Sequence, residues 1–220
     1  LELKYLADAS HQADAVILDL LARLAPSLTF SYSPDSRTWA FDALDMRSMS
    51  SDRADELPNN QDLSWVNWNQ GVWRIKATDF PDMVPALAMW AILSGKAVEI
   101  IGIGQLRYKE SDRIQALMVN LDLLGIPYEP CDSDGLVIRP LAPWLVYSRR
   151  FVTPSELKGQ RVATSPMLCC FGDHRMAMAL SMLVLPDLSI LMDAPQTVSK
   201  SYPRFWEDWA QFGYALKALN

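Results

Sequence analysis

The spacing of apolar residues predicts alternating strands and helices, most clearly between residues 71 and 140. Alternating or β-branched apolar runs predict strands over 72–77 and 97–103. Apolar positions recurring at helical spacing predict helices over 81–93 and from near 108 to 124. Two short runs, 128–131 and 136–138, flank turn residues and predict a closing hairpin. The predicted order is strand, helix, strand, helix, strand, strand, or βαβαββ.

Parts of this order recur on both sides of that stretch. Before it, the pattern predicts a strand over 1–6, a helix over 9–24 and a hairpin of 27–32 with 38–41. After it, a unit begins near 162 and continues with a helix after 173, a strand over 188–192 and a helix over 203–212. We therefore expect residues 1–220 to form one α/β (α+β) domain of repeated units, 1–45, 71–140 and 160–220, of which the outer two are incomplete. The absence of an initiator Met is consistent with a domain from a longer chain.

The segment from 48 to 70 interrupts the repeat. Its Asp, Asn, Ser and Gln residues replace β-branched ones, which predicts a polar surface loop. Trp65 and Trp68 indicate that this loop docks on the domain.

The amino-acid composition argues against several classes of function. Half of the residues are hydrophobic, so the chain can bury a core, and its net charge of -6 argues against a duplex nucleic-acid partner. No apolar run is long enough for a membrane span and no signal segment opens the chain, so we expect a cytoplasmic protein. We expect the three cysteines to pack as small apolar side chains. Because the chain has two histidines, a His-rich zinc site is not expected.

A dense charged block at 104–113 lies between the predicted strand and helix. On a helix that starts near 108, Lys109 and Arg113 are one turn apart and share a face, with Glu110 beside them. A helix N-terminus favours anions, so these cations predict a cradle for phosphate or carboxylate. The alternative is a solvated first turn with exposed ion pairs, which contribute little to stability.

Three other charged positions fit the same hypothesis. Asp82 begins a helix and could accept from a substrate hydroxyl, or only complement the helix dipole. Arg175, beside His174, precedes an apolar helix, and Lys200 precedes another, although an ordinary exposed lysine would look the same. If the repeated units pack side by side, the cations converge at one end and bind a small polyanion. Asp82 and Glu110 would border them as base and acid.

Four segments in order resemble the enolpyruvyl transferase family, in particular its branch that acts on shikimate 3-phosphate. They are Pro81-Asp82, 106–113 (LRYKESDR), 173–178 (DHRMAM) and 199–205 (SKSYPRF). A weaker match is 7–10 (ADAS), where the family usually begins with Gly. The resemblance implies an inverse α/β-barrel-type domain, with helices packed inside and sheets around them, and a reaction that needs no metal and no organic cofactor.

The reaction so implied is enolpyruvyl transfer from phosphoenolpyruvate to the 5-hydroxyl of shikimate 3-phosphate, on the route to chorismate and the aromatic amino acids. By resemblance, Asp82 deprotonates the hydroxyl, Glu110 transfers a proton at the methylene carbon and Lys109 contacts both substrates. Phosphoenolpyruvate-binding positions are Lys109, Arg113, Arg175 and Lys200, and shikimate-3-phosphate-binding positions are Asp82, Gln105 and Lys109. His174 is expected to support Arg175 or the phosphate.

The family enzyme closes two domains over its substrates, and this sequence resembles most of the C-terminal one. The missing N-terminal domain is therefore the expected partner, and we expect the chain alone to bind phosphoenolpyruvate weakly and to turn over little. One alternative is a non-catalytic anion-binding or scaffold module that retains the fold. Another is the sister transferase for a UDP-amino sugar, which typically lacks the segments KESDR and DHR found here.

Overall fold

The fold is described from a computed structural model. It describes residues 2–4, 30–33, 38–41, 66–69, 71–131, 134–142, 166–184 and 190–211. The chain divides into two compact units, Leu1–Leu63 and Ser64–Asn220. The predicted helix over 9–24, the segment 7–10 and most of the stretch from 140 to 165 lie outside the described residues.

In the first unit, three strands form an antiparallel sheet. They are β1 (Glu2–Lys4), β2 (Phe30–Ser33) and β3 (Thr38–Phe41), in the order β1-β3-β2. β2 and β3 pair with Phe30 opposite Phe41, and β1 pairs with β3 with Leu3 opposite Trp39. The predicted hairpin and the predicted opening strand are both confirmed.

A five-stranded mixed sheet forms the main layer of the second unit. Its strands are β4 (Val66–Asn69), β5 (Val72–Lys76), β6 (Ala97–Ile101), β7 (Tyr128–Cys131) and β8 (Gly135–Ile138), in the order β4-β5-β6-β8-β7. β5 and β6 are parallel and the other neighbours are antiparallel. A helix between β5 and β6 completes a βαβ unit, so the predicted βαβαββ order over 71–140 is confirmed.

The prediction of a polar loop over 48–70 is wrong for the C-terminal end of that segment. Residues 66–69 form β4, which pairs with β5 through a turn at Gly71, where φ is +83°. Val66 and Trp68 alternate with asparagines, which is a strand pattern, and a composition rich in polar residues concealed it. A φ in this range suits glycine, which fits the hairpin turn.

The helix between β5 and β6 lies in the core of the second unit. After a 3-10 turn at Pro81–Met83, α1 spans Val84–Ser94 and carries no charged side chain. Its buried residues lie on all sides: Val84, Pro85, Leu87, Ala88, Met89, Ala91 and Ile92. A helix that is apolar all round must be enclosed by other elements. Truncating Leu87 to Ala would destabilise the fold by about 2–5 kcal/mol.

Three further helices follow among the described residues of the second unit, and the first two of them contact α1. α2 spans Arg113–Leu124, α3 spans His174–Ser181 and α4 spans Phe205–Ala210. α3 packs against α1, and the short strands β9 (Met167–Leu168) and β10 (Leu191–Met192) pair in parallel on either side of α3 in the sequence. The strand predicted over 188–192 is described only at its C-terminal end.

Two further predictions concern the cysteines and the membrane. All three cysteines are free, and Cys170 is buried with its Sγ 2.9 Å from the carbonyl oxygen of Asp193. Burial, together with Asp193, raises the pKa of the Cys170 thiol far above its usual range. Among the described residues, no helix has the length and apolar character needed to span a bilayer.

Candidate functional site

Asp82 is the point at which three cations meet. It lies in the 3-10 turn before α1, and its side chain is 28% exposed. Its Oδ1 accepts from Arg113 at 2.6 Å and lies 3.6 Å from the Nζ of Lys109, while Oδ2 lies 2.9 Å from Arg175. Three of the four cations predicted to converge, Lys109, Arg113 and Arg175, therefore meet at one carboxylate. The contact described for the fourth, Lys200, is with the carbonyl oxygen of Gly172.

These cations determine the charge state of Asp82. Burial by itself raises the pKa of the carboxyl, but the hydrogen bond from Arg113 and the charges of Arg175, Arg113 and Lys109 together outweigh it. The pKa of Asp82 is lowered as a result. In this arrangement Asp82 is a stable anion and a weak base.

The start of α2 differs from the prediction. Residues Gly104–Tyr108 form a 3-10 helix, Lys109 is extended, and α2 begins at Arg113. Asp112 is the N-cap, with Oδ1 accepting the N–H of Gln115 at 3.0 Å. Lys109 and Arg113 therefore do not share a helix face, and they reach Asp82 from separate segments.

A buried ion pair joins α2 to α3. Arg113, with a side chain 3% exposed, donates through Nε to Oδ2 of Asp173 at 2.6 Å and contacts Oδ1 at 3.4 Å. Asp173 is fully buried and also accepts from Ser111 Oγ at 3.1 Å and from the N–H of Arg175 at 2.9 Å. Its four donors satisfy both oxygens, as a buried carboxylate requires.

The same contacts keep Asp173 ionised. Burial raises the pKa of this carboxyl, but the hydrogen bond and charge of Arg113, followed by the bonds from Arg175 and Ser111, lower it by more. The net pKa is below its ordinary value. Asp173 therefore holds Arg113 in place and, as the N-cap of α3, also fixes the helix turn that carries Arg175.

Glu110 and His174 form a second pair beside the first. The Nδ1 of His174 lies 3.0 Å from Oε2 of Glu110, and Glu110 is exposed. The imidazole thus contacts Glu110, a partner that the sequence analysis did not predict. A proton can pass between a carboxylate and an imidazole at this distance.

Among the described residues, one group of side chains lies close enough together to share a metal ion: Glu110, Asp173 and His174. Asp173 fits this role poorly, because both of its oxygens already accept from Arg113, Ser111 and the N–H of Arg175. A cation would have to displace the buried guanidinium of Arg113. The donor set therefore favours a salt-bridged carboxylate over a metal ligand.

Lys200 and Gln105 lie at the edge of the cluster. Lys200 ends a 3-10 helix, Pro195–Lys200, and its Nζ lies 3.4 Å from the carbonyl oxygen of Gly172. Lys200 precedes α4, as predicted, although α4 begins at Phe205 rather than near 203. Gln105 is exposed and donates to the carbonyl oxygen of Thr78 at 3.3 Å. Both side chains are exposed, and each contacts a backbone carbonyl oxygen.

A close backbone approach holds this edge together. Gly102 has φ +74°, and a Cβ there would collide with the hydroxyl oxygen of Thr78. Glycine lets the end of β6 approach the turn that leads to Asp82. The segment of Gln105 is thereby held next to the segment of Asp82.

Sequence reasoning missed the roles of Asp173 and Ser111. Asp173 lies in the segment DHR, just before an apolar helix, and an acidic residue in that position is an N-cap signal. That signal predicts the cap but not the bond to Arg113, which lies 60 residues earlier in the sequence. Ser111 carries no signal of its own, because its partner is defined only by the tertiary fold.

Comparison with known proteins identifies relatives of the chain. Residues 59–209 match the family model described as EPSP synthase (3-phosphoshikimate 1-carboxyvinyltransferase). The chain is 31% identical over 206 residues to 3-phosphoshikimate 1-carboxyvinyltransferase of Clostridium acetobutylicum, which covers 93% of this chain and 36% of that protein. It is 36% identical over 128 residues to the Aquifex aeolicus protein of the same name. That alignment covers 58% of this chain and 25% of the relative.

A solved structure, EPSP synthase from Acinetobacter baumannii, shares 29% identity and a TM-score of 0.44, covering 62% of this chain and 27% of that one. The chain spans only about a quarter to a third of the length of these relatives.

Proposed function

The chain belongs to the EPSP synthase family, and on that basis we propose that it supplies part of the active site of a 3-phosphoshikimate 1-carboxyvinyltransferase. The proposed reaction transfers the enolpyruvyl group of phosphoenolpyruvate to the 5-hydroxyl of shikimate 3-phosphate and releases phosphate. It is a step of the shikimate pathway to chorismate and the aromatic amino acids, and we propose that it takes place in the cytoplasm. The observation that carries the proposal is the meeting of Lys109, Arg113 and Arg175 at Asp82.

Arg113, Arg175 and Lys200 are the proposed ligands of phosphoenolpyruvate. A guanidinium binds carboxylate or phosphate through two parallel hydrogen bonds, so two arginines suit a ligand that carries both groups. The carboxylate of Asp82 occupies part of this donor set. An incoming anion must therefore displace the Asp82 carboxylate from the arginines, which leaves that carboxylate free for the substrate hydroxyl.

The proposed chemistry is an addition followed by an elimination. Asp82 takes the proton of the 5-hydroxyl while the hydroxyl oxygen forms a bond to C2 of phosphoenolpyruvate. At the same time, C3 gains a proton. The C2–O bond to phosphate then breaks, C3 loses a proton and the double bond re-forms. Glu110, in contact with His174, is the proposed proton carrier at C3.

Fixed cations would stabilise the charge that develops on the phosphate and carboxylate oxygens. Lys109 is proposed to contact both substrates, because its side chain is partly exposed and its Nζ lies 3.6 Å from Oδ1 of Asp82. Gln105 is proposed to contact shikimate 3-phosphate from the edge of the site. The reaction so described requires no metal and no organic cofactor.

A second domain would supply the rest of the site. The chain spans about a third of the Clostridium acetobutylicum relative, which supports a partner N-terminal domain in the complete polypeptide. We propose that 1–220 is the incomplete C-terminal half of such an enzyme. We also propose the inverse barrel arrangement with helices inside, which the burial of α1 on all sides and its packing against α3 support.

An alternative is a non-catalytic anion-binding or scaffold module that retains the fold. One observation favours it: Asp82 and Asp173 already pair with the arginines that would bind substrate. A buried carboxylate–guanidinium network can serve structure alone. Catalysis by the complete site separates the two proposals.

The test is reconstitution. The chain would be mixed with a separately produced N-terminal domain of a close relative, phosphoenolpyruvate and shikimate 3-phosphate, and phosphate release would be followed. We expect little or no release from the chain alone and activity on mixing, lost in Lys109→Ala. Folded components that associate but release no more phosphate than the Lys109→Ala mixture would favour the scaffold.

A further inference from the structure

Asn120 is a buried polar side chain to which the proposed chemistry gives no role. Among the described residues, four polar or charged residues are buried: Arg113, Asn120, Asp173 and Ser181. Arg113 and Asp173 form the ion pair of the site, and Ser181 bonds within its own helix to the carbonyl oxygen of Met178 at 2.6 Å. The side chain of Asn120 instead joins two elements of the fold.

The amide of Asn120 pairs with both backbone groups of Cys169. Its Nδ2 donates to the carbonyl oxygen of Cys169 at 2.9 Å, and its Oδ1 accepts the N–H of Cys169 at 2.9 Å. Nδ2 also donates to the carbonyl oxygen of Ala116 at 2.8 Å. Since one face of the amide must donate and the other accept, its orientation is fixed. The side chain thus acts as a strand partner for the residue that follows β9.

The position of this contact matters for the site. Asn120 lies about two helical turns after Arg113 on α2. Cys169 is followed by a tight turn in which Phe171 and Gly172 have φ of +56° and +68°, and then by Asp173 and Arg175. Positive φ is unfavourable for Phe171, so this turn is held by its surroundings.

Two contacts therefore tie α2 to the segment 169–175. One is the bond of Asn120 to Cys169, and the other is the ion pair of Arg113 with Asp173. Asp193 also holds this turn by accepting the N–H of Cys170, but that contact does not involve α2. Two ties at separate points of α2 set both the position and the angle at which α3 presents Arg175.

We propose that Asn120 is a positioning residue that fixes the spacing of Arg113 and Arg175. This spacing favours a small molecule with two anionic groups, a phosphate and a carboxylate. The affinity of such a ligand depends on the distance between the two arginines, whereas the affinity of a single anion does not. The inference rests on the proposed function, in which these arginines bind phosphoenolpyruvate.

Asn120→Asp tests the inference with little change in shape. It keeps an acceptor for the N–H of Cys169 but removes both donor bonds and faces two carbonyl oxygens. Asn120→Ser is the second variant, since a serine in a helix bonds back to its own backbone and releases Cys169. Ser181→Ala is the control, because it removes another buried polar group whose bond stays within α3.

The readout is the ratio of two dissociation constants, for phosphoenolpyruvate and for inorganic phosphate, measured calorimetrically with the 220-residue chain. In either Asn120 variant we expect phosphoenolpyruvate to bind about tenfold more weakly and phosphate less than about threefold more weakly. Ser181→Ala should leave the ratio unchanged. A purely structural role would weaken both ligands equally.

The outcomes separate this inference from the proposed function. If the wild-type chain binds phosphoenolpyruvate and a folded Asn120 variant keeps the wild-type ratio, the positioning role is wrong and the proposed function stands. If the wild-type chain does not bind phosphoenolpyruvate and the reconstituted mixture also releases no phosphate, then the positioning role and the proposed function are both overturned. Circular dichroism of each variant identifies which of them is folded for the comparison.

Discussion

The helices α2 and α3 begin with the same local design but use their capping aspartate differently. Asp112 caps α2 by accepting from Gln115, and its other contact is an exposed ion pair with Arg107 at 3.5 Å. Asp173 caps α3 by accepting from Arg175, and it also holds the buried guanidinium of Arg113. One aspartate serves its own helix, and the other joins two helices.

The difference shows where a capping residue becomes part of a site. An exposed cap stabilises a helix by satisfying an N–H that water could also satisfy. A buried cap must satisfy all its oxygens with protein donors, and those donors then occupy fixed positions. Besides the N–H of Arg175, the donors to Asp173 are the side chains of Arg113 and Ser111. The cap of α3 therefore also holds Arg113, which donates to Asp82.

The largest expected effect is on the free energy of unfolding when each capping aspartate is replaced by alanine. Asp173→Ala leaves Arg113 buried without its main partner, so it should destabilise the fold by about 3–5 kcal/mol. Asp112→Ala removes only a cap and should destabilise it by about 1 kcal/mol. Urea denaturation of both variants measures the two values. Similar losses in the two variants would show that burial of Asp173 is not what distinguishes them.

The second prediction concerns Asp82, where the cations from both helix starts meet. Asp82→Asn removes the internal anion, so phosphoenolpyruvate should bind the chain more tightly, by about tenfold. In the reconstituted mixture, loss of the base should lower turnover about 10²- to 10⁴-fold. Calorimetry and phosphate release measure these separately. Weaker binding in this variant would mean that Asp82 does not compete with the ligand for Arg113 and Arg175.

The third prediction is a pH dependence of stability. The pKa values of Asp82 and Asp173 are both lowered in the folded chain, because the partners named above outweigh burial. As pH falls, the unfolded chain takes up protons first, so these carboxylates stabilise the fold fully above about pH 5 and progressively less as pH drops through their folded pKa values.

Denaturation curves between about pH 3 and pH 7 measure this slope. Asp173→Asn should flatten it, since the variant lacks the ionised group, and Asp112→Asn is a matched control with the same change in charge. The idea fails if the two variants and the wild type lose stability in parallel.

The smallest expected effect is at the exposed pair. Arg107 and Asp112 contact each other with side chains 52% and 38% exposed. Arg107→Ala should change the free energy of unfolding by less than about 0.5 kcal/mol, because exposed ion pairs contribute little. A loss of more than about 2 kcal/mol would mean that exposed and buried pairs do not differ here as the comparison requires.

Local patterns were sufficient for most elements but not for every boundary. The strands and hairpins follow from alternating apolar residues, and they are present in the structure. The start of α2 was placed about one turn too early, although Asp112 followed three residues later by Gln115 is itself an N-cap signature. Strand β4 was not predicted, because its two asparagines give the segment a polar composition although Val66 and Trp68 alternate with them.

The site could be predicted only as a set of candidates. The sequence shows that Asp82, Arg113 and Arg175 have chemistry suited to an anion, but the contacts of Asp82 with Arg113 and with Arg175 span 31 and 93 residues of chain. The role of Asp173 depends on which side chain lies opposite it in the folded state. Such contacts are set by packing, which no local pattern encodes.

The most direct test of the central claim is a calorimetric titration of phosphoenolpyruvate into the 220-residue chain and two arginine variants. Arg175→Ala removes a guanidinium that contacts Asp82, whereas Arg204→Ala removes one that pairs only with Glu207 and Asp208 among the contacts described for α4. We expect weak binding by the wild type, unchanged binding in Arg204→Ala and a loss of about tenfold or more in Arg175→Ala. Equal binding by all three proteins would contradict the claim that this cluster is the anion site.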